Sequence, residues 1–465
     1  MNWPEKTTLP QKLPPLDRDF RPPVLENRAF REAVDNSGQA VPLYIALERN
    51  DGKISTYETR VFDESSPMSE ANYFFVERLV KTLLWSRGGW KLTISGPLST
   101  GEYIKKAYSP GGLREFDAHF MSHVYEKPFT VELASMDQVP APREESRPVG
   151  GDFRGNRIGF DAGGSDLKVS AVVDGEAIYS EERVWHPKEN SDPDYHYGEI
   201  LAAMKTAASY LPRVDAIGVS SAGIYIDNRA MAASLFIKVP NELFEEKVKD
   251  IYLQIQQEFG GVPMVVANDG DVTALAGSMD LEDGCVLGIA MGTSEAGGYV
   301  DKNGNITGWL NELAFMPVDY NPSAMTDEWS GDFGCGVKYF SQDGVTKLAP
   351  VAGIELDDKL TPAEKLKEVQ NLLDRGDKRA RQVFESIGCY LGYTLPHYAE
   401  FYDVKNVLLL GRVTSGEGGN IIYTEAEKIL SDEFPDVHEQ IKIHLPDEST
   451  RRVGQSIAAA SLPQL

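Results

Sequence analysis

Asp269 closes the apolar run VPMVVAND, just after Asn268, where a buried strand should give way to a helix starting near Val272. A carboxylate at such a strand end can take the proton of a hydroxyl attacking a phosphoryl group, provided that metal and backbone donors hold the phosphate. The same side chain can equally cap the following helix, because Asp accepts readily from the first helical N–H groups. Three glycine turns could supply the backbone donors. Asp161-Ala162-Gly163-Gly164-Ser165 and Gly292-Thr293-Ser294-Glu295-Ala296-Gly297-Gly298 each follow an apolar strand and carry a hydroxyl suited to phosphate or to metal-bound water; Gly411 through Gly419, opening Gly411-Arg412, follows another. Glycine lets a bound group approach the chain closely, so that N–H groups converge on phosphate oxygens. Any one of these is also an ordinary tight turn, and the matching places of the first two are what point to phosphate. None fits GxxxxGK[ST], and none is a GxGxxG opening a helix, which excludes Walker and Rossmann chemistry. Lys168 could approach a phosphate across the first hairpin, or simply be an exposed strand lysine. His119 and His123 stand i, i+4 in FDAHFMSHVYE, but Phe120 follows the first where a metalloprotease needs Glu. They, and His186 and His196 in a turn-rich stretch, read as core or surface histidines.

The elements that must position these residues follow from pattern. The 465 residues suggest about three domains or lobes at roughly 150 residues each. Residues 1 to about 40 hold Pro4, Pro10, Pro14, Pro15, Pro22 and Pro23 among charges, which disfavours a long helix and predicts an extended arm. PLYIALERND, a turn at Asn50-Asp51-Gly52 and KISTYETRVF predict a strand pair. SEANYFFVERLVKTLLW has Phe75, Leu79, Leu83 and Leu84 at helical spacing, and WKLTISGP reads as a further strand. QVPAPREESRPVGGDFRGN, at about 138 to 156, is the clearest linker. Beyond it strands and helices alternate, NELFEEKVKDIYLQIQQEF reads as one helix, and Thr361-Pro362-Ala363-Glu364 opens another as a capping box. Residues 158–180 and 286–308 repeat one hairpin pattern weakly, which argues for two similar α/β lobes.

Composition narrows the partners. Lys plus Arg number 46 against 71 Asp plus Glu, a net charge of −25. Such a balance repels phosphate backbones and anionic lipid, so neither nucleic acid nor membrane is an expected partner. Cys285, Cys335 and Cys389 cannot build a disulfide framework or a four-Cys zinc site. No apolar run approaches the roughly 20 residues of a spanning helix, and MNWPEKTTLPQKLPPL lacks the apolar core of a signal peptide. A cytoplasmic, reduced protein is expected.

From about residue 157 onward the chain resembles the ROK family of sugar kinases, within the actin-like ATPase superfamily. IGFDAGGSDLKVSAV is similar to the family's DxGGT phosphate motif, and AIGVSSAG to its GIGxxxPG segment, with Ala222 where Pro is usual. VVANDGDVTALAG resembles NDxNAAAxGE, LGIAMGTSEAGGYV the GTGIGGG turn, and LLLGRVTSG the adenosine-side GGG segment. The five stand in the family's order. The resemblance implies an α/β, actin-like ATPase (ribonuclease H-like) fold of two lobes, here with an additional N-terminal α/β unit. The expected divisions are a proline-rich arm at 1–40, the extra unit at 41–150, a first lobe at 151–271 and a second at 272–465, with the C-terminal helix free to return to the first.

Carried across residue by residue, the resemblance makes Asp269 the catalytic base, with Asn268 and Glu312 on sugar hydroxyls. It puts ATP with Mg²⁺ in the cleft, phosphates against Asp161, Gly163, Gly164, Ser165, Lys168, Gly292, Thr293 and Ser294, and adenosine near Gly411 and Arg412. The match is partial. In the family a His after this Glu and a CxCGxxGC cluster bind a structural zinc; here Phe315 replaces the His and only Gly334-Cys335 remains of the cluster, so no metal beyond Mg²⁺ is expected. A second sugar-contacting Glu corresponds to Val337. The expected function is an ATP-dependent kinase of a hexose or related sugar; the alternative is a catalytically weak or inactive sugar- or nucleotide-binding sensor. A homodimer is implied by the resemblance. A repressor of the family would need a helix-turn-helix ahead of this part, and the N-terminal unit reads as strand–turn–strand–helix–strand instead.

Overall fold

Asp51 and Gly52 take φ of 58° and 64°, the left-handed geometry that a tight hairpin turn requires. They join β1 (Ala40–Glu48) to β2 (Ile54–Phe62), paired antiparallel from Ala40↔Phe62 to Glu48↔Ile54. The computed structural model describes residues 10–144, 149–446 and 448–465 and, over 448–453, the backbone alone. Strands β3 (Lys91–Ser95) and β4 (Thr130–Leu133) complete a sheet of order β2-β1-β3-β4. The helix Ala71–Arg87 packs on it and buries Phe75, Leu79, Leu83 and Leu84, as their spacing predicts. Its other faces are buried too, including the charged Arg78 and Lys81.

The proline-rich start departs in part from the expectation of an extended arm without a long helix. Residues 1–9 of that arm lie outside the described residues; residues 10–20 run as a strap over the helix Lys378–Tyr398, with the Tyr390 hydroxyl donating to Asp17 across 2.6 Å and Phe20 edge-on to Tyr390. Then Pro23–Asn36 forms a 14-residue helix. Pro22 is its N-cap and Pro23 its first residue, the two places where a missing N–H and a fixed φ do no harm.

After the linker the chain builds two sheets on one plan. In the first lobe, β5 (Asn156–Ala162), β6 (Asp166–Val173) and β7 (Glu176–Val184) meander antiparallel, and β8 (Ala216–Ser221) pairs parallel to β5. A small hairpin, β9 (Ile224–Ile226) and β10 (Arg229–Ala232), follows. Then β11 (Met264–Asn268) joins parallel to β8, giving the order β11-β8-β5-β6-β7. The second lobe repeats the antiparallel hairpin as β12 (Val286–Met291) and β13 (Glu295–Val300). Strands β14 (Asn406–Leu410) and β15 (Lys442–His444) add parallel to β12, in the order β13-β12-β14-β15. This is the two-lobed actin-like arrangement. The first two glycine turns lie where the first strand of each hairpin ends, the third where β14 ends, and Asn268 and Asp269 where β11 ends.

The C-terminal helix Glu448–Ala460 lies across β5 and β8 of the first lobe. Gly159 and Gly218 permit this approach, since a Cβ on either would fall within 2 Å of the carbonyls of Ser456 and Ala459. The segment read as one helix over 241–259 is instead broken. Lys249 N–H bonds back to Phe244 and its carbonyl accepts from Ala230 on β10, so only Ile251–Glu258 continues as a regular helix.

The distribution of cores matters most for the site. The N-terminal unit and the second lobe share one continuous hydrophobic core, running from Phe20 and Phe75 through Trp85 to Leu313, Tyr390 and Phe434. The first lobe has its own, around Phe160, Trp185 and Tyr252. No helix among the described residues is long and apolar enough to cross a membrane.

Candidate active site

Asp161 ends β5 buried, its carboxylate accepting from the Ser220 hydroxyl at 2.6 Å. Its other oxygen faces the Lys168 ammonium at 3.4 Å, and that ammonium also bonds Asp166 at 2.8 Å. Lys168 is thus engaged with two carboxylates of its own hairpin. Gly163 N–H bonds the Asp166 carbonyl at 3.0 Å and closes the turn. Burial pushes the Asp161 carboxyl up, against the pull of Lys168 and Ser220.

Asn268 and Asp269 mark the step from β11 into the helix Asp269–Leu281. Asn268, not Asp269, is the N-cap: its Oδ1 accepts from Gly270 N–H at 2.7 Å, and its Nδ2 donates to the Gly223 carbonyl at 2.7 Å. The cap is therefore supplied by its neighbour. Asp269 accepts from Gly270 N–H at 3.0 Å, but burial first, and then the charge of Asp161, push its carboxyl up to about 6. Such a group is ionised yet basic near neutral pH, as a proton acceptor needs.

Glu312 comes from the second lobe on a loop that takes a left-handed turn at Asn311, φ 53°. Asn tolerates that conformation, and the Asn311 side chain earns its place by donating to Asp271 at 2.9 Å while accepting from the Tyr402 hydroxyl at 3.2 Å. Asp271 also accepts from Tyr299 N–H at 3.1 Å. Burial pushes Glu312 and Asp271 each up to about 7, with Asp269 adding to both. Asp269 thus lies within electrostatic reach of Asp161 on one side and of Glu312 on the other.

The other two turns form a second group. Gly292 N–H bonds Ser294 O, Thr293 and Ser294 are exposed, and Gly411 packs so closely on Met291 that a Cβ there would lie 2.4 Å from its carbonyl oxygen. Gly411 has φ 94°, reserved for glycine, and Arg412 beside it is exposed. No hydrogen bond among the described residues joins this group to Asp269.

A cavity of about 370 Å³ runs between the N-terminal unit and both lobes, reaching Arg49, Gly223, Tyr225, Asn268, Asp271 and Trp309. Asp269 and Glu312 lie outside its lining, so it adjoins the candidate site rather than comprising it.

Three residues escaped the sequence reading. Asp271 looked like one more acid in a helix start. Glu295 lay within a glycine turn, yet it is buried with neither carboxyl oxygen hydrogen-bonded among the described residues. Burial pushes its carboxyl well above the usual range. Lys188 carries no pattern at all, but its ammonium lies 3.2 Å from where a Cβ on Gly164 would stand.

Where the resemblance would put zinc ligands, this chain packs its N-terminal unit. Phe315 stacks on Trp85 with ring centres 4.2 Å apart, near Phe116 and Phe120. These are its aromatic partners, rather than the Trp309 and Phe333 that lie near it in sequence; those rings lie under Arg87 and Arg78. Cys335 is buried beside Asp332, which accepts from both terminal nitrogens of Arg78 at 3.0 and 3.1 Å and pairs with Lys81 and Arg114. Among the described residues no three His, Cys, Asp or Glu side chains are arranged to hold a metal.

Comparison with known proteins gives the family. The ROK family model matches residues 157–459. Among solved structures, the ROK hexokinase of Thermus thermophilus is 18% identical, with a TM-score of 0.51 over 66% of this chain and 97% of that one. The ROK family glucokinase of Streptomyces griseus, solved with glucose and AMPPNP, is 20% identical with a TM-score of 0.49, over 66% and 99% of the two chains. A ROK family transcriptional regulator, described as a homolog of the E. coli MLC protein, is 17% identical with a TM-score of 0.49, over 67% and 79%. These identities speak to the fold alone. No curated protein matches the chain.

Proposed function

The chain belongs to the ROK family, and from that premise we propose that it is an ATP-dependent sugar kinase, transferring the γ-phosphoryl group to a hydroxyl of a hexose or related sugar. The observation that carries the reading is Asp269, held at the end of β11 with its carboxyl near 6, while Asn268 takes over the capping that would otherwise account for it.

The residues present fit a nucleotide with its divalent ion. Gly292 leaves open space where a side chain would stand, with a single atom, Ser294 O, within 4 Å at 3.5 Å. Asp161 offers one buried carboxylate beside the first turn. Mg²⁺ needs little more, because it is held by one or two carboxylates, waters and substrate phosphates rather than by a protein cage. When bound it would neutralise charge on the phosphates.

The chain's own residues do the rest. Asn268 and Glu312 orient the sugar, and Asp269 accepts the proton of the attacking hydroxyl. The new bond joins that oxygen to the γ-phosphorus; the bond to the β,γ-bridging oxygen breaks, and ADP leaves with its electron pair. Closure of the lobes would exclude water, a competing acceptor. Asp269→Asn tests the assignment: sugar-dependent ADP release should be lost while nucleotide still binds, and near-normal turnover would refute it. Saturable sugar or nucleotide binding with no ADP release from the unaltered chain would favour the sensor.

A further inference from the structure

The first glycine turn poses an electrostatic problem for a phosphate. Asp161 and Asp166 flank it, Lys168 bonds both of them, and Asp269 lies close by. An incoming phosphoryl group would meet these carboxylates. Among the described residues, Lys188 is a further cation that reaches it. Lys188 sits on the short turn Pro187–Glu189, and the loop that carries it is bolted to the glycine turn twice by Trp185: its backbone N–H donates to Ser165 O at 3.2 Å, and its indole N–H to Gly163 O at 2.8 Å. Behind the loop, buried His196 sets a ring nitrogen 3.0 Å from the Pro187 carbonyl, fixing the residue that precedes Lys188. The aliphatic end and ammonium of Lys188 lie 3.1 and 3.2 Å from the position of a Cβ on Gly164, and the ammonium makes no ion pair or hydrogen bond among the described residues. An exposed lysine usually reaches for solvent; this one is anchored at its base and leans over the turn, and its charge opposes the upward shift of Asp269.

We propose that Lys188 is a catalytic residue that binds the terminal phosphoryl group during transfer. The inference rests on the kinase reading and extends it to a residue outside the five motifs. A fixed cation at the transferring group stabilises charge that grows there in the transition state, and removing one such donor typically costs about 10²- to 10³-fold in rate. Lysine serves as a point charge, so arginine should replace it in part.

Two readouts test this on the full chain. In the first, surface lysines are acetylated in trace amounts and mapped by mass spectrometry with Mg²⁺·AMPPNP, with Mg²⁺·ADP, or with neither. AMPPNP should slow acetylation of Lys188 severalfold where ADP does not, while exposed Lys105 on the N-terminal unit is labelled equally throughout. In the second, Lys188→Gln should lower kcat by about 100-fold with the KM for sugar unchanged, and Lys188→Arg should restore much of it. Equal labelling of Lys188 with AMPPNP and ADP, or an unchanged kcat in Lys188→Gln, would overturn the proposal. If the unaltered chain releases no ADP with any sugar, the kinase reading fails, yet the labelling still decides whether Lys188 meets a terminal phosphate. A chain that binds no nucleotide overturns both.

Discussion

The backbone N–H of Glu312 donates to the carbonyl of Trp85 across 3.0 Å. Asn311 and Leu310 continue the run onto Ser86 and Arg87, at 3.1 and 3.3 Å. The final carbonyls of a helix have no partner within it, and here the loop bearing Glu312 supplies the donors. Phe315, three residues on, stacks on the Trp85 ring. A helix of the N-terminal unit therefore holds the proposed sugar ligand of the second lobe, and the two regions share one core.

If Glu312 orients the sugar as proposed, Trp85 should govern that contact from a distance. Trp85→Leu should cost about 2–4 kcal/mol of stability and raise the KM for sugar about tenfold or more, with nucleotide affinity little changed; Trp85→Phe should recover most of both. Thermal melts and a KM series over sugar and nucleotide check this. Equal losses in sugar and nucleotide binding would make Trp85 a merely structural residue.

The buried charges behind Phe315 carry a second expectation. Arg78, Lys81 and Arg114 converge on Asp332, with Glu77 and Asp117 completing the balance. Removing one partner of such a set leaves charge buried without compensation, so Asp332→Ala should cost about 3–5 kcal/mol. Chelators, by contrast, should leave the melting temperature of the unaltered chain where it is, because aromatic and ionic contacts stand where the family's metal would bind. A chemical melt and a thermal scan with and without EDTA measure the two.

Asp269 makes the pH dependence specific. Burial favours its protonated form, so the folded chain holds this proton up to about pH 6 while the unfolded one loses it near 4. Between those values the folded state binds more protons, and this contribution to stability falls as pH rises. Asp269→Asn should therefore be more stable than the unaltered chain at pH 8, by up to about 3 kcal/mol, with the advantage shrinking toward pH 4. The kinase rate should run the other way, climbing between about pH 5 and 7 as the base ionises. Paired melts and a pH–rate profile would show both limbs.

What could be read from the sequence was local. Turn residues such as Asp51-Gly52 and the Thr361 capping box specify their elements within a few positions, and the DAGGS and AND motifs sit at strand ends where the alternation of apolar runs put them. What could not be read depends on distant partners. Arg78 and Lys81 look like the wet face of a helix until Asp332, some 250 residues away, is brought against them. The aromatic neighbours of Phe315 come from Trp85 and Phe116, not from the flanking sequence. Lys188 gains meaning only through Trp185 and the glycine turn it clasps. The proline pair at 22–23 misled because position in a helix, not proline itself, decides its effect.

The central claim is phosphoryl transfer to a sugar with Asp269 as base, and one measurement meets it directly: ADP release from Mg²⁺·ATP over a panel of hexoses and N-acetylhexosamines, with Asp269→Asn alongside. The expected result is a rate that appears with particular sugars and vanishes in the variant. ATP binding without ADP release for any sugar, or equal rates in the variant, would contradict it.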